Sequence, residues 1–315
     1  MNHLEGKVIL VTGANGFIGT HLVAKLHRIH GVKLLLLSRQ PKQSASEDVI
    51  WLEGELESLT PAFWEAHHVD YLDYVFHLGG FTPKNGSTAS DIERNIRDNI
   101  SGTYALLKSL PGVPSGIIFS STLDVYAPPK DGEVLTESSM LQPTGFYGAS
   151  KLLCEKLIST WAAANGCRVA ILRYGHIYGA GEGQYGKLIP VAIRSLLANQ
   201  APRISGDGSV LRDYLFVGDA LEATIRAAQA ESSVGPVNIV SGTSVTLKSV
   251  MQVIQNIIGN GIRAEYLLDK PSGVSLRFDA SLMKKIFGDW PMTTLEEGLK
   301  EEVEAFTREQ GKEKK

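Results

Sequence analysis

The run Phe146-Tyr147-Gly148-Ala149-Ser150-Lys151 sets a phenol and a primary amine four positions apart. Residues at that spacing share one face of a helix, so both can act on one bound molecule. A free tyrosine gives up its proton only near pH ~10. A neighbouring ammonium and a positively charged nicotinamide would favour the phenolate and bring proton exchange towards neutrality. Lysine can also hydrogen-bond the ribose of that nicotinamide. Such a pair is common on solvated helices; a second element, Gly13-Ala14-Asn15-Gly16-Phe17-Ile18-Gly19, gives it meaning. One element can hold a dinucleotide and the other can move a proton. Together they point to hydride transfer between a nicotinamide and a carbon that carries oxygen.

The glycine run needs a strand before it and a helix after it. Residues 7–12 are strand-like and 17–30 can be helical. Gly13 and Gly16 then let the backbone approach a pyrophosphate. Phe17 and Ile18 open a helix whose free N–H groups and positive dipole end face that anion, and Gly19 allows close helix–sheet packing. An acidic residue about 20 positions further on would hold the ribose 2′-hydroxyl of NAD. Here the second strand ends Leu36-Leu37-Ser38-Arg39 without a carboxylate. Arg39 can pair with a 2′-phosphate and Ser38 can donate to it, which favours NADP(H), with NAD(H) as the alternative. Lys42 is a weaker candidate, and a solvated arginine is the bland reading of Arg39.

These groups must be carried by regular elements. Short runs rich in Val, Ile and Leu at 7–12, 33–38, 49–52, 74–78, 116–120 and 168–172 read as strands buried on both faces. Helical patterns at 17–30, 90–110 and 146–165 fit between them. The alternation predicts an α/β fold: a doubly wound parallel Rossmann sheet with a smaller, mixed α/β C-terminal substrate lobe. Residues 1–173 plus 213–241 are assigned to the dinucleotide-binding domain and 174–212 plus 242–315 to the lobe. Within the latter part, 174–185 reads as a loop, 188–198 as a helix, 203–215 as an irregular loop or hairpin, 237–240 as a strand and 246–258 as a helix. Thr294 and Glu297 form a capping box for a last helix, with Leu295, Leu299, Val303 and Phe306 as its buried stripe and 311–315 as a frayed tail.

Composition excludes other classes. The 315 residues are 43% hydrophobic with a formal net charge of −3. No basic stripe suggests a nucleic-acid partner, and no apolar run is long enough for a membrane span. The two cysteines, Cys154 and Cys167, make no disulfide framework; with no signal peptide at the N-terminus, a cytoplasmic location is expected. No His, Cys and carboxylate cluster has ligand spacing, so no metal is expected.

Over nearly its whole length the chain resembles the extended short-chain dehydrogenase/reductase family, in the branch acting on nucleotide sugars. The segment from Thr12 to Gly19 matches its glycine turn. Phe76-His77-Leu78-Gly79-Gly80 is similar to its fourth-strand segment beside the cofactor, with Gly79 and Gly80 where alanines are usual. Asn99-Ile100-Ser101-Gly102-Thr103 is similar to its Asn-x-x-Gly-Thr helix. The resemblance implies Thr122 as the catalytic hydroxyl beside Tyr147 and Lys151. It implies Leu78, Gly79, Gly80 and Asn99 as cofactor neighbours, and Arg212 as the grip on a nucleotide-sugar diphosphate. A structural pair of Arg212 with Asp213 or Asp219 is the alternative. His176 stands where the family has an asparagine that contacts the nucleotide sugar. Relatives dimerise through the helices corresponding to 90–110 and 146–165, so a homodimer is expected.

The departures bear on the reaction. The family's sugar 4,6-dehydratases follow the catalytic threonine with Asp and Glu; here Leu123 and Asp124 follow Thr122. Leucine cannot protonate a leaving hydroxyl, which disfavours dehydration and leaves Asp124 as a substrate-binding candidate, the alternatives being a remnant of that pair or a polar group at a strand end. Arg39 tilts the expectation to an NADPH-dependent reductase of a nucleotide-linked 4-keto-6-deoxyhexose, with Tyr147 as proton donor. The alternative is a nucleotide-sugar 4-epimerase with tightly bound NAD. A non-catalytic redox-sensing module is a third reading, disfavoured because phenol, hydroxyl and lysine are all present.

Overall fold

The computed structural model describes residues 3–44, 46–84 and 91–313. In chain order the first elements are β1 (Val8–Thr12), α1 (Phe17–Leu26), β2 (Lys33–Ser38), β3 (Val49–Glu53), α2 (Pro61–Ala66), β4 (Tyr74–His77), α3 (Ile92–Arg94), a π-helical turn (Asn95–Ser101), α4 (Gly102–Ser109), β5 (Gly116–Thr122), α5 (Phe146–Asn165) and β6 (Arg168–Tyr174). There follow β7 (His176–Tyr178), α6 (Leu188–Leu197), β8 (Arg203–Ser205), β9 (Leu211–Phe216), α7 (Val217–Gln229), β10 (Val234–Ile239), β11 (Ser244–Thr246), α8 (Leu247–Ile258), β12 (Glu265–Leu267), α9 (Ser281–Phe287) and α10 (Leu295–Glu313).

Seven strands form one sheet in the order β10-β6-β5-β4-β1-β2-β3, and β1 pairs in parallel with both β2 and β4. The Leu-rich interior of β2 is buried throughout, as a strand covered on both faces requires. The chain builds outward from β1 in both directions, so the strand order reverses between β1 and β4, and ligands usually bind at the carboxyl ends of the strands at such a switch point. Leu10, Leu35, Val75, Phe119 and Ile171 of the sheet pack in one core cluster with Trp64 of α2, Leu106 of α4 and Ile158 of α5. Each such side chain contributes roughly 1.5–3 kcal/mol by burial.

Two compact units result: 1–127, 140–174 and 221–237 in the first, and 128–139, 175–220 and 238–315 in the second. The second contains a three-stranded sheet, β11-β9-β7, and a two-stranded sheet, β12-β8. Thr246 caps α8 by accepting the Ser249 N–H at 3.0 Å. The capping box of α10 forms with Glu297 accepting from Thr294 N and Oγ1 at 2.9 and 2.7 Å. Leu299, Val303 and Phe306 line the buried stripe, while Leu295 is half-buried.

The elements differ from the sequence expectations where long-range partners decide. The helix expected over 17–30 stops at Leu26, beyond which the Arg28 and Ile29 N–H groups turn to acceptors three residues back, Lys25 O at 3.3 Å and Leu26 O at 3.0 Å. The helix expected over 90–110 is interrupted by the π turn, which carries the buried Asn95 and Asn99; its expected first residue, Ser90, lies outside the described residues. The loop expected over 174–185 contains β7, and the irregular stretch 203–215 contains β8 and β9. Those strands exist because β9 pairs with β7 and β11 and β8 with β12. The same pairing sets the unit boundaries: β9 residues 213–216, expected with the sheet domain, belong to the second unit. Residues 128–139 join it as well, through the Leu135–Phe278 bridge. The tail expected to fray at 311 continues α10 to Glu313, and residues 314–315 lie outside the described residues.

Gly19 separates two opposing effects. Alanine favours a helix over glycine by about 1 kcal/mol, but a Cβ at Gly19 would lie 2.1 Å from the Gly13 carbonyl oxygen. Overpacking costs about 1–3 kcal/mol, so Gly19→Ala is expected to lower stability in urea unfolding. At Gly311, where an added Cβ meets nothing within 4 Å, the same substitution is expected to be neutral or stabilising.

Candidate active site

The cradle is made by backbone. Gly13 adopts φ 73° after the last residue of β1, and the Gly16 N–H donates to Gly13 O at 2.9 Å. Gly16 caps α1 without a side-chain hydrogen bond, and the first turn of α1 carries no acidic residue. The N-terminal amides and the positive dipole end thus suit an anion. A Cβ on Gly13 would lie 2.8 Å from Gly79 N, so the ends of β1 and β4 touch backbone to backbone. Phe17 is buried beneath the turn, Ile18 and Leu78 are half-buried, and Gly79 is buried. These features fit the pyrophosphate of a dinucleotide.

Thr12 and His77 join the two strand ends. Thr12 Oγ1 accepts the Gly79 N–H at 2.9 Å and lies 2.8 Å from His77 Nδ1; His77 Nε2 lies 2.9 Å from Thr103 Oγ1 on α4. Burial, reinforced by the Lys151 charge, lowers the His77 pKa to about 3, so the imidazole is neutral. Asn99 closes the adjoining wall. It accepts the Phe81 N–H at 2.7 Å and donates to Ser150 Oγ at 2.9 Å; Ser150 in turn donates to the Tyr147 carbonyl at 2.8 Å. Gly80 adjoins Asn99 at φ 135°.

At the end of β2, Ser38 Oγ accepts from Asn15 Nδ2 at 2.7 Å and from the Gln40 N–H at 3.1 Å. Asn15 also donates to Gln40 O at 2.8 Å. The Ser38 hydroxyl is therefore engaged by the glycine turn. Arg39 is exposed, and among the described residues no ion pair involves it.

The phenol–ammonium pair sits on α5 against the end of β5. Lys151 is 3% exposed; its Nζ donates to Ser120 O at 2.9 Å and lies 4.9 Å from the Phe119 ring centroid. Burial pulls its pKa down to about 8. A Cβ on Gly148 would lie 2.1 Å from Asp124 O, so α5 rests directly on the 3-10 turn Leu123–Val125. Thr122 is buried and its Oγ1 accepts the Asp124 N–H at 3.2 Å. Tyr147 is half-buried and Asp124 exposed. The first unit thus gathers the glycine turn, Ser38, Arg39, Leu78, Gly79, Gly80, Asn99, Thr122, Asp124, Tyr147 and Lys151.

His176 and Arg212 belong to the second unit, on the paired strands β7 and β9. The His176 ring lies 5.8 Å from that of Tyr214, and burial with Arg212 and Lys187 nearby holds its pKa down to about 3. Arg212 Nη1 donates to Leu211 O at 2.8 Å and Val274 O at 2.6 Å. The alternative pairing of Arg212 with Asp213 or Asp219 is not what forms. Asp213 accepts the Ser241 and Gly242 N–H groups, both at 2.8 Å, and Asp219 accepts from Trp290 Nε1 and Thr293 N. The sequence places Thr12 and Asn15 in the glycine turn and His77 in the segment beside the cofactor, but the roles of their side chains are not read from it. A lone histidine ending the otherwise apolar β4 was the available signal; Asn15 and Thr12 gave none beyond their place beside the glycines.

The family model described as NAD dependent epimerase/dehydratase matches residues 9–240. A UDP-glucose 4-epimerase of Halalkalibacterium halodurans is 30% identical over 281 residues, covering 82% of each chain. The structure of a UDP-N-acetylglucosamine 4-epimerase from Methanobrevibacter ruminantium, in complex with UDP-N-acetylmuramic acid, is similar with TM-score 0.84 and 26% identity. That match covers 97% of this chain and 99% of that one. MoeE5 in complex with UDP-glucose and NAD is similar with TM-score 0.81 and 27% identity, over 96% of this chain and 99% of that one.

The neutral His77 has a folded pKa below its ordinary 6.5, so the unfolded chain binds more protons between those values. Its contribution to stability is complete above pH 6.5 and is lost as pH falls towards about 3. Urea titrations from pH 7 to 4 are expected to show falling stability, by a few kcal/mol at most, with a shallower slope in His77→Gln. Lys151 acts at the other end: stability rises with pH from about 8 to 10.5 as the unfolded chain holds the extra proton.

Proposed function

The chain belongs to the NAD-dependent epimerase/dehydratase family, and on that premise we propose that it is a 4-epimerase of UDP-linked hexoses working with resident NAD. The carrying observation is the docked α5, which carries Tyr147 one turn before the buried Lys151, whose ammonium donates to Ser120 O at the end of β5, in the same unit as a backbone cradle suited to a pyrophosphate. The epimerase relatives with matching length replace the reductase as the leading reading.

When bound, NAD supplies the hydride acceptor, and then donor, at the sugar carbon. The amides around Gly13 and Gly16 and the α1 N-terminus would hold its pyrophosphate, with Leu78, Gly79, Gly80 and Asn99 forming the adjoining wall. Lys151 would donate to the nicotinamide ribose, and its charge favours the phenolate. Tyr147 takes the proton from the sugar 4-hydroxyl and returns it after the sugar has turned. Thr122 donates to the same oxygen, and Asp124 borders the sugar. In the second unit, Arg212 and the neutral His176 are the residues that the family resemblance would assign to a nucleotide-sugar diphosphate. Leu123 supplies no acid for expelling a hydroxyl, which argues against dehydration.

One observation favours the reductase as a second reading: the end of β2 has Ser38 and Arg39 and no carboxylate, so it tolerates a 2′-phosphate. Ile96, Tyr104 and Leu153 are exposed at 44, 56 and 45% and suit a homodimer contact along the π turn, α4 and α5. Among the described residues no helix is long and apolar enough to cross a membrane.

The purified protein is expected to convert UDP-glucose to UDP-galactose without added cofactor and without net NADPH oxidation. Stoichiometric NADPH oxidation on a 4-keto-6-deoxy sugar nucleotide, with no epimerisation, would select the reductase. Tyr147→Phe is expected to lower kcat by at least ~100-fold, the scale of lost general acid–base catalysis, while the content of bound NAD is unchanged.

A further inference from the structure

One turn beyond Lys151 on α5, Glu155 is 6% exposed, and it faces Arg173 of β6, which is 2% exposed. Arg173 Nε donates to Glu155 Oε1 at 2.9 Å and Nη2 to Oε2 at 2.8 Å, a bidentate fork. Each partner makes one further contact. Glu155 Oε1 accepts from Ser121 Oγ at 2.5 Å, and Arg173 Nη1 donates to Tyr126 OH at 2.9 Å, with the guanidinium carbon 5.0 Å from that ring centroid. In the sheet, Ser121 stands opposite Arg173.

Ser121 and Tyr126 bracket the segment from Thr122 to Val125. The carboxylate holds one end of it and the guanidinium the other, and both charges are anchored to α5 or β6. Gly148 provides a third fixed point through its contact with Asp124 O. The segment that presents Thr122 is therefore tied at both ends to a network rooted in the helix that presents Tyr147. Stability alone does not account for the pair, because buried ion pairs are often no more stabilising than apolar residues of similar volume. What a fork with two extra contacts adds is a fixed separation between elements.

We propose that Glu155 and Arg173 are positioning residues, a buried clamp that sets the spacing between the Thr122 hydroxyl and the Tyr147–Lys151 pair. The clamp rests on the reading of Thr122 and Tyr147 as the groups that hold and protonate the sugar oxygen. A misplacement near 1 Å can cost about 100-fold in rate, so its loss should appear in turnover before binding.

The test compares wild type with Glu155→Gln, Glu155→Gln/Arg173→Gln and Tyr126→Phe, measuring kcat, KM, bound NAD, melting temperature and amide hydrogen exchange. Glu155→Gln strands a buried guanidinium and can fail to fold. The double variant removes both charges, and Tyr126→Phe removes only one contact of the fork. The clamp predicts a kcat lower by about 10- to 100-fold in the double variant and a smaller drop in Tyr126→Phe, with KM within about twofold. Bound NAD stays unchanged, and kcat stays low even where the melting temperature of the double variant returns to the wild-type value. Recovery of kcat together with the melting temperature would make the pair merely structural and overturn the clamp. If wild type epimerises no nucleotide sugar, the functional reading fails and hydrogen exchange decides the clamp. Faster exchange confined to 122–126 and 147–151 in the variants upholds it, and unchanged exchange there overturns it.

Discussion

The interaction on which the rest depends is the burial of the Lys151 ammonium against the Ser120 carbonyl. A charged amine out of water is costly unless it is hydrogen-bonded, and here a strand-end carbonyl and the face of Phe119 receive it. That contact is available only if α5 lies directly on the end of β5, which Gly148 permits by having no side chain against Asp124 O. The placement of Lys151 in the first unit is thus a consequence of one close helix–strand approach. Below it, Glu155 and Arg173 hold the same helix to β5 and β6.

The glycine turn obeys the same constraint at the other helix. Gly19 brings α1 onto the turn and Gly13 brings β1 against β4, so positions without side chains decide where backbone amides can meet an anion. Thr12 and His77 convert that contact into a fixed joint. A neutral imidazole suits it: a protonated one would face the Lys151 ammonium in a dry interior, and burial already excludes it.

Much of this was legible in the sequence. The strands of the first unit carry local signals, continuous Val, Ile and Leu runs ending in turn residues, and α5 falls over the residues its pattern indicated. Tyr147, Lys151 and the glycines stand out in the sequence because their spacing is a local pattern, and the helix and the turn that carry them form where that pattern lies. The π turn could not be read, since its inward Asn95 and Asn99 answer to Ser150, a partner more than 50 residues away along the chain. Nor could β7 and β9, which are strands by pairing with each other and, for β9, with β11. The preference for a reductase came from Arg39, whose exposed side chain admits a 2′-phosphate without requiring one. The number of hydride transfers depends on whether a sugar can turn in place, and no residue spacing encodes that.

The most direct test of the account is a crystal structure of the protein with NAD and UDP-glucose. The account predicts the Tyr147 hydroxyl within about 3 Å of the sugar 4-oxygen, Thr122 Oγ1 on the same oxygen, and Lys151 Nζ on the nicotinamide ribose. A phenol turned away from the sugar, or a nicotinamide bound on the far side of α5 from Lys151, would contradict it.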